Sequence, residues 1–180
     1  MTRHLVLIGL PGSGKSTVGA LVADLLEMPF ADLDREIERE SGMSIPELFA
    51  TLGEPTFRAL EREAMDALLG GSATVIASGG GWAAQPGNLR GAAERAVTVY
   101  LEVAPVVVAD RIAGAGNRPL LADPDPRERL EELLRARAPW YRQASCVVGA
   151  GWGSPADIAS RVVSVALDGL HQPEAPDDVA

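Results

Sequence analysis

Short apolar runs alternate with stretches of helical periodicity along this chain. Residues 5–9, 30–33, 74–77, 97–101 and 146–148 are brief and aliphatic, as buried strands are. Between and after them, residues 16–26 carry Val18, Leu21, Val22 and Leu25 at helical spacing. Further helical stretches fall at 54–69, 106–112, 127–138 and 156–167. Apolar strands alternating with helices predict an α/β fold: a five-stranded parallel sheet covered on both faces.

The second-to-third strand connection, about 34–71, is longer than a crossover requires and predicts a helical insert above the sheet. Ser44-Ile45-Pro46-Glu47 has capping-box spacing, so a helix is expected to start there. Residues 113–126 are rich in Gly, Pro and Asp and read as a mobile lid loop. The acidic, aperiodic tail at 170–180 is expected to be disordered. Residues 1–169 then form one domain.

Composition narrows the class. The net charge of −9 argues against general nucleic-acid or polybasic membrane binding. No apolar run reaches the ~18 residues of a membrane span, and the expected location is the cytoplasm. The single cysteine, Cys146, cannot form an internal disulfide, and two histidines make a poor zinc set. Fifteen of the sixteen basic residues are arginine. The one lysine, Lys15, lies in the strongest motif.

That motif is Gly9-Leu10-Pro11-Gly12-Ser13-Gly14-Lys15-Ser16, which fits G-x-x-x-x-G-K-[ST] between an apolar strand and an amphipathic helix. The backbone through Gly12, Ser13, Gly14, Lys15, Ser16 and Thr17 can turn its N–H groups onto phosphate oxygens, aided by the helix N-terminus. Lys15 can bridge the β- and γ-phosphates of ATP, and the Ser16 hydroxyl can ligate Mg²⁺.

Asp32 and Asp34 close the second strand, at the edge where parallel sheets bind ligands. Strand alternation places both on one side, with Leu33 turned away. Asp32 could hold Mg²⁺ through water, and Asp34 could orient an attacking hydroxyl. The alternative is a helix N-cap. Glu54, Arg58 and Glu61 share a helix face, as in a surface ion-pair ladder; equally, Glu61 could hold the Arg58 guanidinium toward an anion. Gly79, Gly80 and Gly81 follow the third strand and suggest close backbone approach to a ligand, with Trp82 bordering whatever they admit. Arg118, in the loop, is placed to meet charge on the γ-phosphate. Arg135, Arg137 and Arg142 flank Pro139, which is expected to end its helix at Ala138.

Taken together these blocks resemble the shikimate kinases. The likeness runs over residues 4–167 and rests on the P-loop, Asp32-Leu33-Asp34, Gly53-Glu54 with Phe57-Arg58 and Glu61, Gly79-Gly80-Gly81, Arg118-Pro119-Leu120-Leu121 and Arg137-Ala138-Pro139-Trp140-Tyr141. The resemblance implies a monomeric P-loop kinase with sheet order 2-3-1-4-5, transferring the ATP γ-phosphate to the 3-hydroxyl of shikimate. It implies that Asp34 meets that hydroxyl, Arg58 and Arg137 hold the carboxylate, and Gly80 touches ring substituents. Phe49 and Phe57 line the ring pocket, Arg111 lies against adenine, and Arg118 belongs to the lid. Ser16 is a direct Mg²⁺ ligand and Asp32 acts one layer out.

Two positions depart from the family pattern. Trp82 replaces a small or aliphatic residue, which motivates a rival reading: a kinase for a related hydroxy acid such as an aminoshikimate or gluconate. No basic residue appears near Gly153-Ser154-Pro155, where the family often directs one toward adenine. A second rival is a nucleotide-binding protein without turnover.

Overall fold

The computed structural model describes residues 3–114 and 125–170. Five strands form one parallel sheet in the order β2-β3-β1-β4-β5. They are β1 (His4–Ile8), β2 (Phe30–Asp32), β3 (Val75–Ala77), β4 (Ala96–Glu102) and β5 (Cys146–Gly149). The helices flanking it are α1 (Lys15–Leu26), α2 (Leu33–Ser41), α3 (Ile45–Leu69), α4 (Asn88–Ala92), α5 (Pro105–Gly114), α6 (Pro126–Tyr141) and α7 (Pro155–Leu170). A 3₁₀ turn, Trp82–Ala84, follows β3.

The central strand β1 pairs with β3 and β4, and Leu5, Val6, Leu7 and Ile8 are all fully buried. That explains its continuous apolar run: both faces of a central parallel strand are covered. The core is aliphatic apart from a few large rings, chiefly Phe57, Trp82, Tyr100 and Tyr141.

The insert between β2 and β3 holds α2 and α3. Ser44 caps α3 with a reciprocal capping box to Glu47, as its spacing predicts. Gly53, at φ 75°, breaks α3 into 45–52 and 54–69, and Pro55 sits harmlessly in the first turn after the break. Two short elements had no periodic signal, α4 and the 3₁₀ turn, being too brief to show one.

Three expectations change. β2 ends at Asp32, and Leu33 already begins α2, so Asp32 and Asp34 are not alternate residues of one strand. Asp32 is instead the N-cap, accepting from the Arg35 N–H at 3.4 Å, and Asp34 lies in the first helical turn. Secondly, α6 does not stop at Ala138 but runs through Pro139 to Tyr141. Pro139 sits so near the C-terminus that it costs one hydrogen bond, and the Arg142 N–H still reaches the Ala138 carbonyl at 3.0 Å. Thirdly, Trp82 does not border a ligand space, as described below. The lid expected at 113–126 falls largely outside the described residues; positions 113–114 are the last turn of α5 and Pro126 is the first residue of α6. The tail at 171–180 lies outside them too. No helix among the described residues is long and apolar enough to cross a membrane.

Candidate active site

Most of the described residues that the sequence singled out converge on the carboxyl ends of β1, β2 and β3. The loop 9–14 leaves β1 and enters α1 with Gly14 as N-cap at φ 100°, a left-handed conformation open chiefly to glycine. Lys15 is buried at the start of α1, its Nζ donating to the carbonyls of Gly9 at 3.1 Å and Leu10 at 2.9 Å. The first turn of α1 therefore presents a cation and the N-terminal N–H groups of a helix together, the arrangement that binds phosphate.

A cleft of about 400 Å³ opens beside it. Its floor carries Asp32 and Asp34 from β2–α2 and the glycines 79–81 after β3. One wall is α3, with Phe49, Phe57, Arg58 and Glu61; Arg137 enters from α6. Ser16 and Thr17 line the same cleft. A second cleft, about 290 Å³, shares Gly12, Gly14 and Thr17 and adds Ser13 and Arg111. The P-loop thus lies between two adjoining spaces. Arg111 is tied to the Ala150 carbonyl at 2.8 Å and the Ser13 carbonyl at 3.4 Å.

Arg58 satisfies both readings of its helix face. Its guanidinium bonds Glu54 at 3.0 Å and Glu61 at 2.8 Å, and it still lines the cleft. Glu54 is solvent-exposed, but Glu61 is only 1% exposed, so the Arg58–Glu61 pair is a buried one. Phe57 and Phe49 stack tilted at 4.4 Å, with the guanidinium 5.2 and 5.8 Å from their ring centres. A ring face and a rigidly held cation on one wall suit a cyclic carboxylate.

The glycines are small because their neighbours are close. A Cβ on Gly79 would stand 2.5 Å from Glu61 Oε1 and 2.8 Å from Asp34 Oδ1; on Gly80, 2.8 Å from the Pro11 ring; on Gly81, 2.6 Å from Arg58. Gly79 therefore separates two carboxyl groups. Burial pushes the Asp34 carboxyl up from its ordinary value, with Lys15 and Arg58 opposing and Asp32 and Glu38 adding to the rise. Burial likewise raises Glu61 against the pull of Arg58, with Asp34 adding to the rise. An elevated carboxyl beside a phosphate cradle is a group placed to receive a proton.

Trp82 is 2% exposed and turns away from this cleft, packing between α3 and α4 beside Met65, Leu69 and Ala92. The motive for a different acceptor therefore falls. We expect Trp82→Ala to lower stability by about 3–5 kcal/mol and to leave the ranking of acceptors unchanged, measured by thermal unfolding and parallel acceptor assays. The departure near Gly153 stands, since among the described residues no basic one other than Arg111 lines the second cleft. Arg161 of α7 reaches that loop, stacking 3.9 Å over Trp152 and donating to its carbonyl at 2.9 Å. Arg135 and Arg142 are exposed and do not line either cleft. Arg118 lies outside the described residues. Sequence reading passed over Ile45, Pro11 and the role of Tyr141. Only Tyr141 had a usable signal, its place four residues after Arg137 on one helix face.

A phosphate cradle opening onto an acceptor cleft with a carboxyl and two guanidinium groups defines an ATP-dependent phosphotransferase of the P-loop kinase class. The shikimate kinase family model matches residues 11–166. A shikimate kinase from Rhizobium leguminosarum bv. trifolii is 46% identical over 147 residues, 82% of this chain and 75% of that protein. One from Aromatoleum aromaticum is 40% identical, covering 93% of this chain and 96% of its own length. Among solved structures, the shikimate kinase of Acinetobacter baumannii in complex with shikimate superposes with a TM-score of 0.87 at 34% identity, covering 96% of this chain and 97% of the other. The chain belongs to the shikimate kinase family. It is an ATP-dependent kinase, and the hydroxy-acid rival and the non-catalytic reading both give way.

Proposed function

We propose that this enzyme transfers the γ-phosphate of ATP to the 3-hydroxyl of shikimate, with the residues of the two clefts in the following roles. The carrying observation is that Lys15, Asp34, Arg58 and Arg137 line a single cleft beside the N-terminus of α1. The substrate carboxylate lies between Arg58 and Arg137, and its ring against Phe49 and Phe57. Backbone at Gly79, Gly80 and Gly81 faces the ring substituents. Asp34 orients the attacking hydroxyl and takes up its proton as the oxygen–phosphorus bond forms and the bond to the ADP oxygen breaks. Lys15, with Arg118 from the lid, offsets charge spreading over the phosphoryl oxygens. Gly12 to Thr17 hold the phosphates, and Arg111 lies along adenine in the second cleft.

The donor set also fits Mg²⁺. Ser16 and Asp32 line the nucleotide side of the cleft, and no cluster of three metal-ligating side chains occurs among the described residues. A hydroxyl and a carboxylate beside the phosphate cradle are hard oxygen donors of the kind Mg²⁺ takes together with phosphate oxygens. Ser16 would hold it directly and Asp32 through water. Held by these residues, the ion would supply charge neutralisation at the phosphates. The reading further includes a monomeric, cytoplasmic enzyme made of one domain, residues 1–169.

The test is acceptor-dependent ADP release from MgATP, with shikimate beside gluconate and an aminoshikimate. Turnover with shikimate alone is expected. Turnover only with another acceptor would keep the mechanism and discard the substrate.

A further inference from the structure

Tyr141 is fully buried, yet its hydroxyl is not idle. It donates to the Gly80 carbonyl at 2.5 Å, and the Arg137 Nη1 donates to the same oxygen at 2.9 Å. Both lone pairs of one carbonyl are thereby engaged from α6. The two donors stand four residues apart on one helical face, which requires α6 to continue past Pro139 as it does. Behind the hydroxyl, the Tyr141 ring stacks on Tyr100 of β4 with centroids 5.1 Å apart, so the phenol cannot swing away.

The consequence is felt across the peptide. The peptide bond is planar, and no cis bond occurs among the described residues, so the Gly81 N–H points opposite to the Gly80 C=O. The carbonyl faces α6, and the N–H therefore faces away from it. Gly81 lines the acceptor cleft, on the side where Arg58 lies against its Cα. Neither the Gly80 nor the Gly81 N–H meets a protein acceptor among the described residues. Arg137 has a second task in the proposed function, because its remaining N–H groups face the substrate carboxylate. Tyr141 does not line the cleft and holds the same oxygen independently.

We infer that Tyr141 is a positioning residue for acceptor binding: by fixing the Gly80 carbonyl it aims the Gly81 N–H at an oxygen of the acceptor. This rests on the shikimate reading of the cleft. It assigns specificity to a side chain that lies behind the site wall.

Tyr141→Phe keeps the ring stack and deletes only the hydroxyl. Loss of one oriented neutral hydrogen bond is expected to raise the KM for shikimate about 3–10-fold. The KM for ATP should stay unchanged and kcat should move less than twofold. Tyr100→Phe is the control, deleting a hydroxyl from the same stack with no contact to Gly80, and should leave both KM values as they are. An unchanged shikimate KM in Tyr141→Phe overturns the inference. So does an equal rise for both substrates, or the same effect from Tyr100→Phe, because either would mark a packing role. Absence of shikimate-dependent ADP release by the unaltered enzyme, measured first, would overturn the shikimate reading and this inference together.

Discussion

Replacing Asp34 with Asn is expected to lower kcat by about 10²–10⁴-fold, leave ATP binding intact, and make the protein more stable. The first effect follows from proton transfer. A carboxylate can accept the hydroxyl proton and an amide cannot, although the amide keeps shape and hydrogen-bonding reach. The second follows because Lys15, the glycines and the α1 N-terminus, not Asp34, face the phosphates. The third comes from burial. Asp34 sits in the cleft floor with Asp32 and Glu38 adding repulsion, and its carboxyl is raised from the ordinary 3.8. The folded state therefore holds this proton more tightly than the unfolded chain does. Its contribution favours the fold below the ordinary carboxylate range and is lost as pH rises through the folded pKa. At neutral pH the ionised group is a cost, and Asn removes it. The melting temperature of the variant should exceed that of the parent at pH 7, and the gap should close as pH falls. The acid limb of kcat/KM in the parent should lie above the ordinary carboxylate range for the same reason. Retained turnover would remove Asp34 from the chemistry; a lower melting temperature would mean that burial is not what dominates its environment.

Arg58→Ala should damage affinity and stability through separate routes. Charge-assisted hydrogen bonds to a carboxylate contribute about 1.5–3 kcal/mol, so the KM for shikimate is expected to rise about 10–100-fold. Meanwhile Glu61 loses the guanidinium that offsets its burial. Among the described residues its Oε1 lacks a hydrogen-bond partner, and Oε2 is paired with Arg58. Breaking a buried pair from one side costs about 3–5 kcal/mol. Without Arg58 the Glu61 carboxyl is pushed further up, so the fold is favoured at acid pH and that advantage is lost as pH rises through the folded pKa. The stability loss should accordingly be largest at neutral to alkaline pH. A second change separates the two effects. Arg58→Ala with Glu61→Gln should recover much of the stability and none of the affinity, read by thermal unfolding and shikimate KM. Recovery of both would reduce Arg58 to a structural ion pair.

The sequence alone determined a good deal. The P-loop was legible because its function needs residue types at fixed adjacent spacing, and a lone Lys15 among arginines marked it twice. The five strands and five of the seven helices were legible because each carries its own apolar period, within a few residues at the ends. The capping box at Ser44 announced the first segment of α3. The clustering of Asp34, Arg58, the glycine triplet and Arg137 was implied by family resemblance, and the fold brings these residues to one cleft.

Other features depended on contacts between distant segments, which no local window contains. Pro139 reads locally as a stop. The Tyr141 hydroxyl on Gly80 and its ring on Tyr100 hold the last turn in place, and so set which face Arg137 presents. Asp32 and Asp34 share a floor not by strand alternation but because a helix starts between them. Trp82 follows a ligand-facing triplet in the chain, yet a 3₁₀ turn carries it into the core. Local pattern specified which elements form, since periodicity and turn chemistry act over a few residues. Tertiary packing decided where each polar atom points, because burial, hydrogen-bond pairing and close approach are properties of neighbours remote in sequence.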